Sequence, residues 1–203
     1  MDTKETRRRM KSGQLYYCTD PEVSADQARC NEIVYDYNQT RPSQSQLRQE
    51  ILKKLLGDLG ENCYVEPPLR ANWGRNTHFG NNVYANFNLT LVDDTDIYVG
   101  DSVMFGPNVT ITTAGHPVDP ELRRKVAQFN VPVYIEDNVW IGAGAVILPG
   151  VRIGKNSVIG AGSVVTRDIP PDVVAVGVPC RVMRPISERD REYYFRDWKV
   201  DID

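Results

Sequence analysis

Residues 135–172 read IEDNVWIGAGAVILPGVRIGKNSVIGAGSVVTRDIPPD, and every sixth position from 135 to 165 is aliphatic: Ile135, Ile141, Ile147, Ile153, Ile159 and Val165. An amphipathic helix spaces its apolar residues by three and four, and a half-buried strand spaces them by two. A spacing of six fits neither. It fits a chain that makes one short strand and one corner every six residues, with three such segments closing a triangular coil. The aliphatic residue then points inward and stacks on its counterpart one coil away. Gly or Asn serves at the corners, where a bulkier residue resists the bend. Parallel strands pair coil on coil, as in hexapeptide β-helices.

The hexads continue backwards along the chain. Phe79, Ala85 and Leu91 keep one phase, and Val99, Phe105 and Ile111 follow after a slip of two residues. Between Ile111 and Ile135 the register is lost in TTAGHPVDPELRRKVAQFNVPVY, which reads as a loop inserted at 112–134. After Val165 the DIPPD segment interrupts, and VGVPCRV at 176–182 reads as one last partial turn. The expected β-helix therefore covers 61–185 and makes the protein mainly β.

Residues 1–60 follow a helical pattern instead. Thr3 to Ser12 form a short charged helix closed by Gly13. Asp20 is a suitable N-cap, with Pro21 and Glu22 behind it and Ile33, Val34 and Tyr37 on one face. A third helix is expected to open at Ser43 with Gln46 as capping-box partner. Its stripe would be Leu47, Ile51, Leu55 and Leu59, flanked by Leu52 and Leu56, with Gly60 as the C′ glycine. A solenoid has two open ends that need covering, and this helical cap serves one of them. Residues 186–203, including ISERDREYYFRDWKVDID, read as a short helix and an extended tail lying along a flank.

Composition narrows the function classes. The net charge of −3 leaves no global basic field for nucleic acid. No apolar run of membrane-spanning length occurs, and the basic N-terminus lacks the apolar segment of a secretory signal, so a cytoplasmic protein with no membrane partner is expected. Cys18, Cys30, Cys63 and Cys180 show no CxxC spacing, which points to packing residues rather than zinc ligands or disulfides. Asn38, Asn88 and Asn108 each begin an N-x-T triplet, a chance match in a cytosolic chain.

The segments between the hexads carry a resemblance. ENCYVEPPLRANWGRN (61–76), NNVYANFNLTLVDD (81–94), PNVTITTAGHPVDPELR (107–123), NVWIGAGAVILPGV (138–151) and SVIGAGSVVTRDIPPDVVAVGVPCRVMR (157–184) closely resemble the galactoside and maltose O-acetyltransferases. The likeness reaches the N-terminal helices and the terminal DREYYFRDWKVD. It implies a left-handed parallel β-helix, a homotrimer with active sites between subunits, a small sugar acceptor, and acetyl-CoA as co-substrate with no metal.

The chain has two histidines, His78 and His116. An imidazole with an ordinary pKa near 6.5 is available as a neutral base at cellular pH, and a sugar hydroxyl needs such a base as it attacks a thioester. The resemblance matches His116, in TAGHPVDPE, with the family's catalytic base, and gives His78 a structural position. It likewise matches Asn86 with a donor to the carbonyl oxygen, where charge develops. Asp94 matches an acceptor-binding carboxylate, suited to two sugar hydroxyls. Asn72 stands at a sugar-contacting position that varies in the family, and Tyr84 and Trp73 offer rings. Where the family has an acid after its GxLY segment, this chain has Tyr17 and Cys18, and Asp20 is the nearest carboxylate. For acetyl-CoA the matched positions are Ala143 and Ala161, small enough for close approach. Trp140 either packs beside the pantetheine arm or fills the edge of the helix. Thr166 and Arg167 follow in the next coil, then Arg181 and Arg184, and the planar forks of the arginines suit the phosphates.

Three other readings stand beside this one. Acetyl transfer to serine or a xenobiotic hydroxyl uses the same scaffold. A γ-type carbonic anhydrase needs three histidines on zinc, one more than the chain has. A non-catalytic binding solenoid leaves His116 without a task.

Overall fold

The computed structural model describes residues 1–202. Its body is a three-sided prism built on the sixfold spacing. Leu59, Phe79, Val99, Ile135 and Ile153 stack along face one. Val65, Ala85, Phe105, Ile141, Ile159 and Ala175 stack along face two. Ala71, Leu91, Ile111, Ile147 and Val165 stack along face three. Each face is a ladder of short parallel strands, and nearly every inward residue is buried. Burying one such Ile or Val is worth about 1.5–3 kcal/mol over leaving it exposed. Truncating Ile141, wedged between Phe105 and Ile159, to Ala is expected to cost about 2–5 kcal/mol.

The corners explain the asparagines. Asn62, Asn82, Asn88, Asn108, Asn138 and Asn156 all adopt positive φ, the left-handed conformation that Asn tolerates better than other side-chain-bearing residues. Their amides also bond coil to coil: Asn88 donates to Asn108 and Asn138 to Asn156, both at 3.1 Å. The triplets beginning at Asn88 and Asn108 are therefore corner chemistry.

Coil length is uneven. Leu59 to Phe79 and Phe79 to Val99 take 20 residues each, two more than three hexads, while Ile135 to Ile153 takes 18. The extra residues all fall at the corner between faces three and one, after Ala71 and again after Leu91. The next passage of that corner, after Ile111, carries the insertion. This insertion is ordered. Thr110–Thr112 and Val133–Ile135 still belong to the ladders, so the chain leaves the repeat only between them. The excursion holds strands Ala114–Gly115 and Ala127–Asn130 and helix Pro120–Arg124. Ala127–Asn130 pairs antiparallel with Ala114–Gly115 on one side and with Tyr16–Tyr17 on the other. The loop expected at 112–134 is thus a small sheet shared with the N-terminal segment.

Helices α1 (Thr3–Ser12) and α2 (Pro21–Asn38) form as expected, with Gly13 left-handed at the end of α1 and Asp20 capping Glu22 and Val23. Helix α3 (Ser45–Leu55) departs from expectation at both ends. Ser43 does not cap it; Gln44 occupies the N-cap position, and its side chain closes the preceding turn by accepting from the Arg41 N–H. The helix stops at Leu55 because the chain enters the first coil at Asp58–Leu59, where pairing with His78–Phe79 satisfies backbone that another helical turn would divert. Leu59 is therefore a face-one residue, and Leu52 and Leu55 are the buried helix positions while Leu47 is exposed. Gly60 is needed for close coil packing, since a Cβ there would collide with the Gly80 backbone. The boundary expected at 60/61 lies inside the first coil.

Side chains of α2 and α3 close that coil's open end. Tyr37 Oη donates to the Val65 carbonyl at 2.5 Å, and the Asn38 amide both accepts from Leu69 N–H and donates to its carbonyl. Gln49 donates to the Cys63 carbonyl. At the other end strand Arg181–Pro185 folds back antiparallel on Val173–Val176. Beyond it lie helix Arg189–Glu192 and the hairpin of Tyr193–Phe195 with Trp198–Lys199. The hairpin's rings pack edge to face on one another, and Tyr194, Phe195 and Trp198 are 60%, 52% and 60% exposed. That tail packs chiefly on itself rather than along a flank. No helix among the described residues is long and apolar enough to cross a membrane.

Candidate functional site

The thickened corner between faces three and one opens into a cleft of about 420 Å³. Each extra residue pair brings a polar group to it. From the first coil come Asn72 and Trp73; from the second, Asp94; from the insertion, His116 and Gln128; from the N-terminal segment, Tyr16, Cys18 and Gln27. Asn72 Nδ2 donates to Asp94 Oδ2 at 2.9 Å, which orients a carboxylate only 9% exposed. His116 Nδ1 lies 2.7 Å from the Ala127 carbonyl. A carbonyl only accepts, so Nδ1 carries the proton and Nε2 keeps the lone pair of the neutral ring. The pairing of the two insertion strands thus fixes the tautomer in which Nε2 of the neutral ring carries no proton.

The cleft's wall is a closed hydrogen-bond network. Gln128 Nε2 donates to Tyr16 Oη at 2.5 Å, and Cys18 Sγ–H donates to Gln128 Oε1 at 3.0 Å. Asn130, fully buried, donates to the Met10 and Asp94 carbonyls. Burial, with the nearby Asp94 charge, pushes the Cys18 thiol up to about 11, so it remains a protonated donor. Burial also raises Tyr16 far above the ordinary phenol range. Behind the cleft sits Asp93, fully buried, accepting from Trp73 N–H at 2.8 Å and Thr77 Oγ1–H at 3.2 Å. Burial pushes its carboxyl up to about 7, against the opposing pull of those hydrogen bonds.

Sequence reasoning overlooked the wall. Gln128 and Asn130 alternate with apolar neighbours in AQFNVPV, the period-two signal of a strand, inside a segment read as loop. Asp20 does not reach the cleft. Its carboxylate is the α2 cap, and Cys18 lines the cleft. Tyr17 pairs with Ala127 and is likewise outside the lining.

A second set of expected residues lies on the other edge of face three, at its corner with face two. Tyr84 and Trp140 project outward from face two, exposed by 38% and 51%. Asn86 follows Ala85 at the corner; its Oδ1 accepts from Phe87 N–H at 2.8 Å, and its Nδ2 donates to nothing among the described residues. Along the same edge run Gly106, Gly142 and Gly160, whose N–H groups bond carbonyls one coil on. A Cβ at Gly142 would come within 2.6 Å of Ala161 N. Exposed Ala143 and Ala161 follow Gly142 and Gly160, so in those two coils the corner presents only small side chains.

Thr166 and Arg167 are exposed just past Val165, back on the edge shared with His116. Arg181 spends one donor on the Cys180 carbonyl. Arg184 is bidentate to Asp190, both bonds 2.7 Å, so that guanidinium already has a carboxylate partner that was not foreseen. Apart from Asp20, Arg181 and Arg184, the expected residues therefore form two groups on opposite edges of face three, and none of Tyr84, Asn86, Trp140, Ala143 or Ala161 lines the His116 cleft.

His78 lies elsewhere. A depression of about 490 Å³ over face one is larger than the cleft, but its wall is a filled stack: His78 on Tyr98 at 4.8 Å, Tyr98 on Tyr134 at 5.2 Å, Arg152 over Tyr134 at 4.3 Å. Both His78 nitrogens are engaged, by Asp58 at 2.5 Å and Asp96 at 3.2 Å. The ring is a structural element. Among the described residues no group of three His, Cys, Asp or Glu side chains converges as metal ligands would.

Comparison with known proteins agrees with this geometry. Residues 9–60 match the maltose acetyltransferase hexapeptide capping motif, and residues 132–167 match six bacterial transferase hexapeptide repeats. The chain is 53% identical to a galactoside O-acetyltransferase of Lactococcus lactis over 100% of this chain and 99% of the relative. Its fold superposes on a galactoside acetyltransferase solved in complex with coenzyme A with a TM-score of 0.94 and 47% identity, covering 100% of both chains. It superposes on a maltose O-acetyltransferase of Clostridium difficile with a TM-score of 0.88 and 44% identity, covering 90% of this chain and 97% of that one. Helical cap, prism and thickened corner are all within the matched length, and the chain belongs to the galactoside and maltose O-acetyltransferase family of hexapeptide-repeat proteins.

Proposed function

We propose that the chain transfers acetyl from acetyl-CoA to a sugar hydroxyl, the 6-hydroxyl of a galactoside, glucoside or maltose, with His116 as general base. The bound co-substrate supplies the thioester. Asp94, steadied by Asn72, accepts hydrogen bonds from acceptor hydroxyls and orients the sugar in the cleft. His116 Nε2 takes the proton of the attacking hydroxyl as its oxygen bonds to the thioester carbon. Asn86 Nδ2 donates to the carbonyl oxygen, where negative charge develops. When the carbon–sulfur bond breaks, the imidazolium returns its proton to the departing thiolate.

His116 and Asn86 occupy different edges of face three, so one copy of the chain does not bring them together. A homotrimer with face three turned to its axis does, because each edge then meets the opposite edge of a neighbour. Of the outward side chains of that face, Thr90, Thr110, Val146 and Val164 are short and β-branched, which suits close approach around an axis, and only Arg70 of the first coil in that register is long. In that arrangement the small-residue strip along Gly106, Gly142 and Gly160 receives the pantetheine arm beside Trp140, Ala143 and Ala161. Thr166 and Arg167 arrive from the neighbour, and Arg181 and Arg184 serve the phosphates. Arg184 serves with the donors Asp190 leaves free.

The observation that carries the reading is the Nδ1 bond of His116, which leaves Nε2 basic inside a cleft holding an oriented carboxylate. The test is His116→Ala, assayed with acetyl-CoA and a panel of galactosides, glucosides and maltose. Turnover is expected to fall about a hundredfold or more; a loss under about tenfold in a folded variant contradicts the assigned base.

A further inference from the structure

Beside the acceptor cleft lies a second cavity of about 190 Å³, lined by Arg7, Met10, Lys11, Trp73, Arg75, Asn76 and Asp94. Met10, Trp73 and Asp94 line both spaces, so the cavity is a side chamber of the cleft. Its chemistry differs. The cleft holds one carboxylate and an imidazole; the chamber adds three cations. Arg7 pairs with Asp26, and Lys11 bonds Asp96 at 2.7 Å and Asn76 at 2.9 Å. Asp26 also takes Arg29, so a single carboxylate serves several guanidiniums.

Arg75 is left over. It approaches Asp26 only to 3.6 Å, beyond hydrogen-bond range, and its guanidinium donates to no group among the described residues. It is held nonetheless, with Cζ 4.8 Å from the centroid of the buried Trp73 ring that walls both spaces. A guanidinium stacked on an aromatic face presents a planar fork of donors at little further ordering cost, and that fork matches a carboxylate or phosphate. Arg7 and Lys11 have close carboxylate partners, whereas the Arg75 guanidinium shares Asp26 with Arg7 and Arg29 and makes only a long contact to it.

We propose that the chamber is an anion subsite of the acceptor pocket, with Arg75 as its principal donor and Arg7 and Lys11 as support. It takes a carboxylate or phosphate carried by the acceptor sugar away from the acetylated hydroxyl, on its anomeric substituent. The preferred acceptors are anionic glycosides or sugar 1-phosphates. The proposal rests on the acetyl-transfer reading above and adds the acceptor's charge to it.

The test compares phenyl β-D-galactopyranoside with 4-carboxyphenyl β-D-galactopyranoside, and galactose with galactose 1-phosphate, as acceptors for the intact protein with acetyl-CoA at low ionic strength. The expected result is a preference in kcat/KM of about tenfold for the anionic member of at least one pair, the worth of one partly exposed charge-assisted contact. The pair that shows it says whether carboxylate or phosphate is taken. The preference is expected to shrink with added salt and to fall to about unity in Arg75→Gln, with Arg75→Lys intermediate because it keeps charge and loses the fork. Equal rates within both pairs, or a preference that survives in Arg75→Gln and Arg7→Gln alike, overturns the subsite and leaves the acetyl-transfer reading standing. Should no sugar be acetylated, that reading fails instead, and equilibrium titration with galactose 1-phosphate against galactose still decides the subsite: tighter binding of the phosphate, lost in Arg75→Gln, supports it, and indistinguishable binding refutes it.

Discussion

The two edges of face three solve different problems with the same repeat. At the corner between faces two and three the hexads keep strict count, and the surface is set by what is missing: Gly106, Gly142 and Gly160 let successive coils pack closely, and only the small side chains of Ala143 and Ala161 stand exposed beside Gly142 and Gly160. At the corner between faces three and one the count is broken in the first three passages, and the site consists of what is added: Asn72, Trp73, Asp94, His116 and Gln128. A long flexible co-substrate suits the first kind of surface, which binds by close fit along a line. A small acceptor that must be oriented within hydrogen-bond reach of a base suits the second. Regularity makes a groove, and interruption makes a pocket.

This difference predicts how each edge fails. The largest effect after loss of His116 is expected for Asn86→Ala, with kcat down by about a hundredfold or more, the cost of losing one donor to a developing oxyanion. The apparent KM for acetyl-CoA should stay nearly constant, because the interaction strengthens only as charge develops. Steady-state kinetics varying both substrates separate the two parameters, and an effect confined to KM contradicts the role.

A smaller effect is expected on the small-residue strip. Ala143→Phe adds bulk to an exposed position without entering the core, so thermal stability should hold while KM for acetyl-CoA rises about tenfold. An unchanged KM removes the strip from the co-substrate's path.

The smallest effect concerns stability and tests the thickened corner. Asp93 has a folded-state carboxyl pushed up to about 7 from an ordinary 3.8. A raised pKa means that its stabilising contribution is complete below the ordinary value and is lost as pH rises through about 7, where a buried charge must be carried. Asp93→Asn keeps an acceptor for Trp73 N–H and offers an N–H to Thr77. The melting temperature of the variant relative to the original chain should therefore improve between pH 5 and pH 8. A constant difference across that range shows that Asp93 is charged in both states throughout.

The same contrast governs what the sequence made legible. The regular edge was readable because its signal is periodic: every hexad from Phe79 to Val165 lies inward on the face its register implies, and the small residues beside them mark the strip. The thickened edge was readable only in part. One two-residue slip is visible after Leu91, but its twin after Ala71 is hidden, because Leu59 also satisfies the spacing of four of the helical stripe before it. Helix and coil compete for the same leucine, and ladder pairing with Phe79 decides. Gln128, Asn130 and Tyr16 escaped for another reason. They meet only when the insertion pairs with the N-terminal strand, across more than a hundred residues of sequence, and nothing local announces that pairing. Asp20 shows the converse error: a carboxylate near the right place that its own helix consumes as a cap.

The division of the site between two copies of the chain is tested most directly by mixing. His116→Ala and Asn86→Ala chains, each nearly inactive alone, are unfolded together in equal amounts, refolded and assayed. If each site draws His116 from one copy and Asn86 from its neighbour, random trimers contain intact sites, and activity should return to about a quarter of that of the unmodified protein. If both groups act from a single chain, no intact site forms, and the mixture stays as inactive as its components.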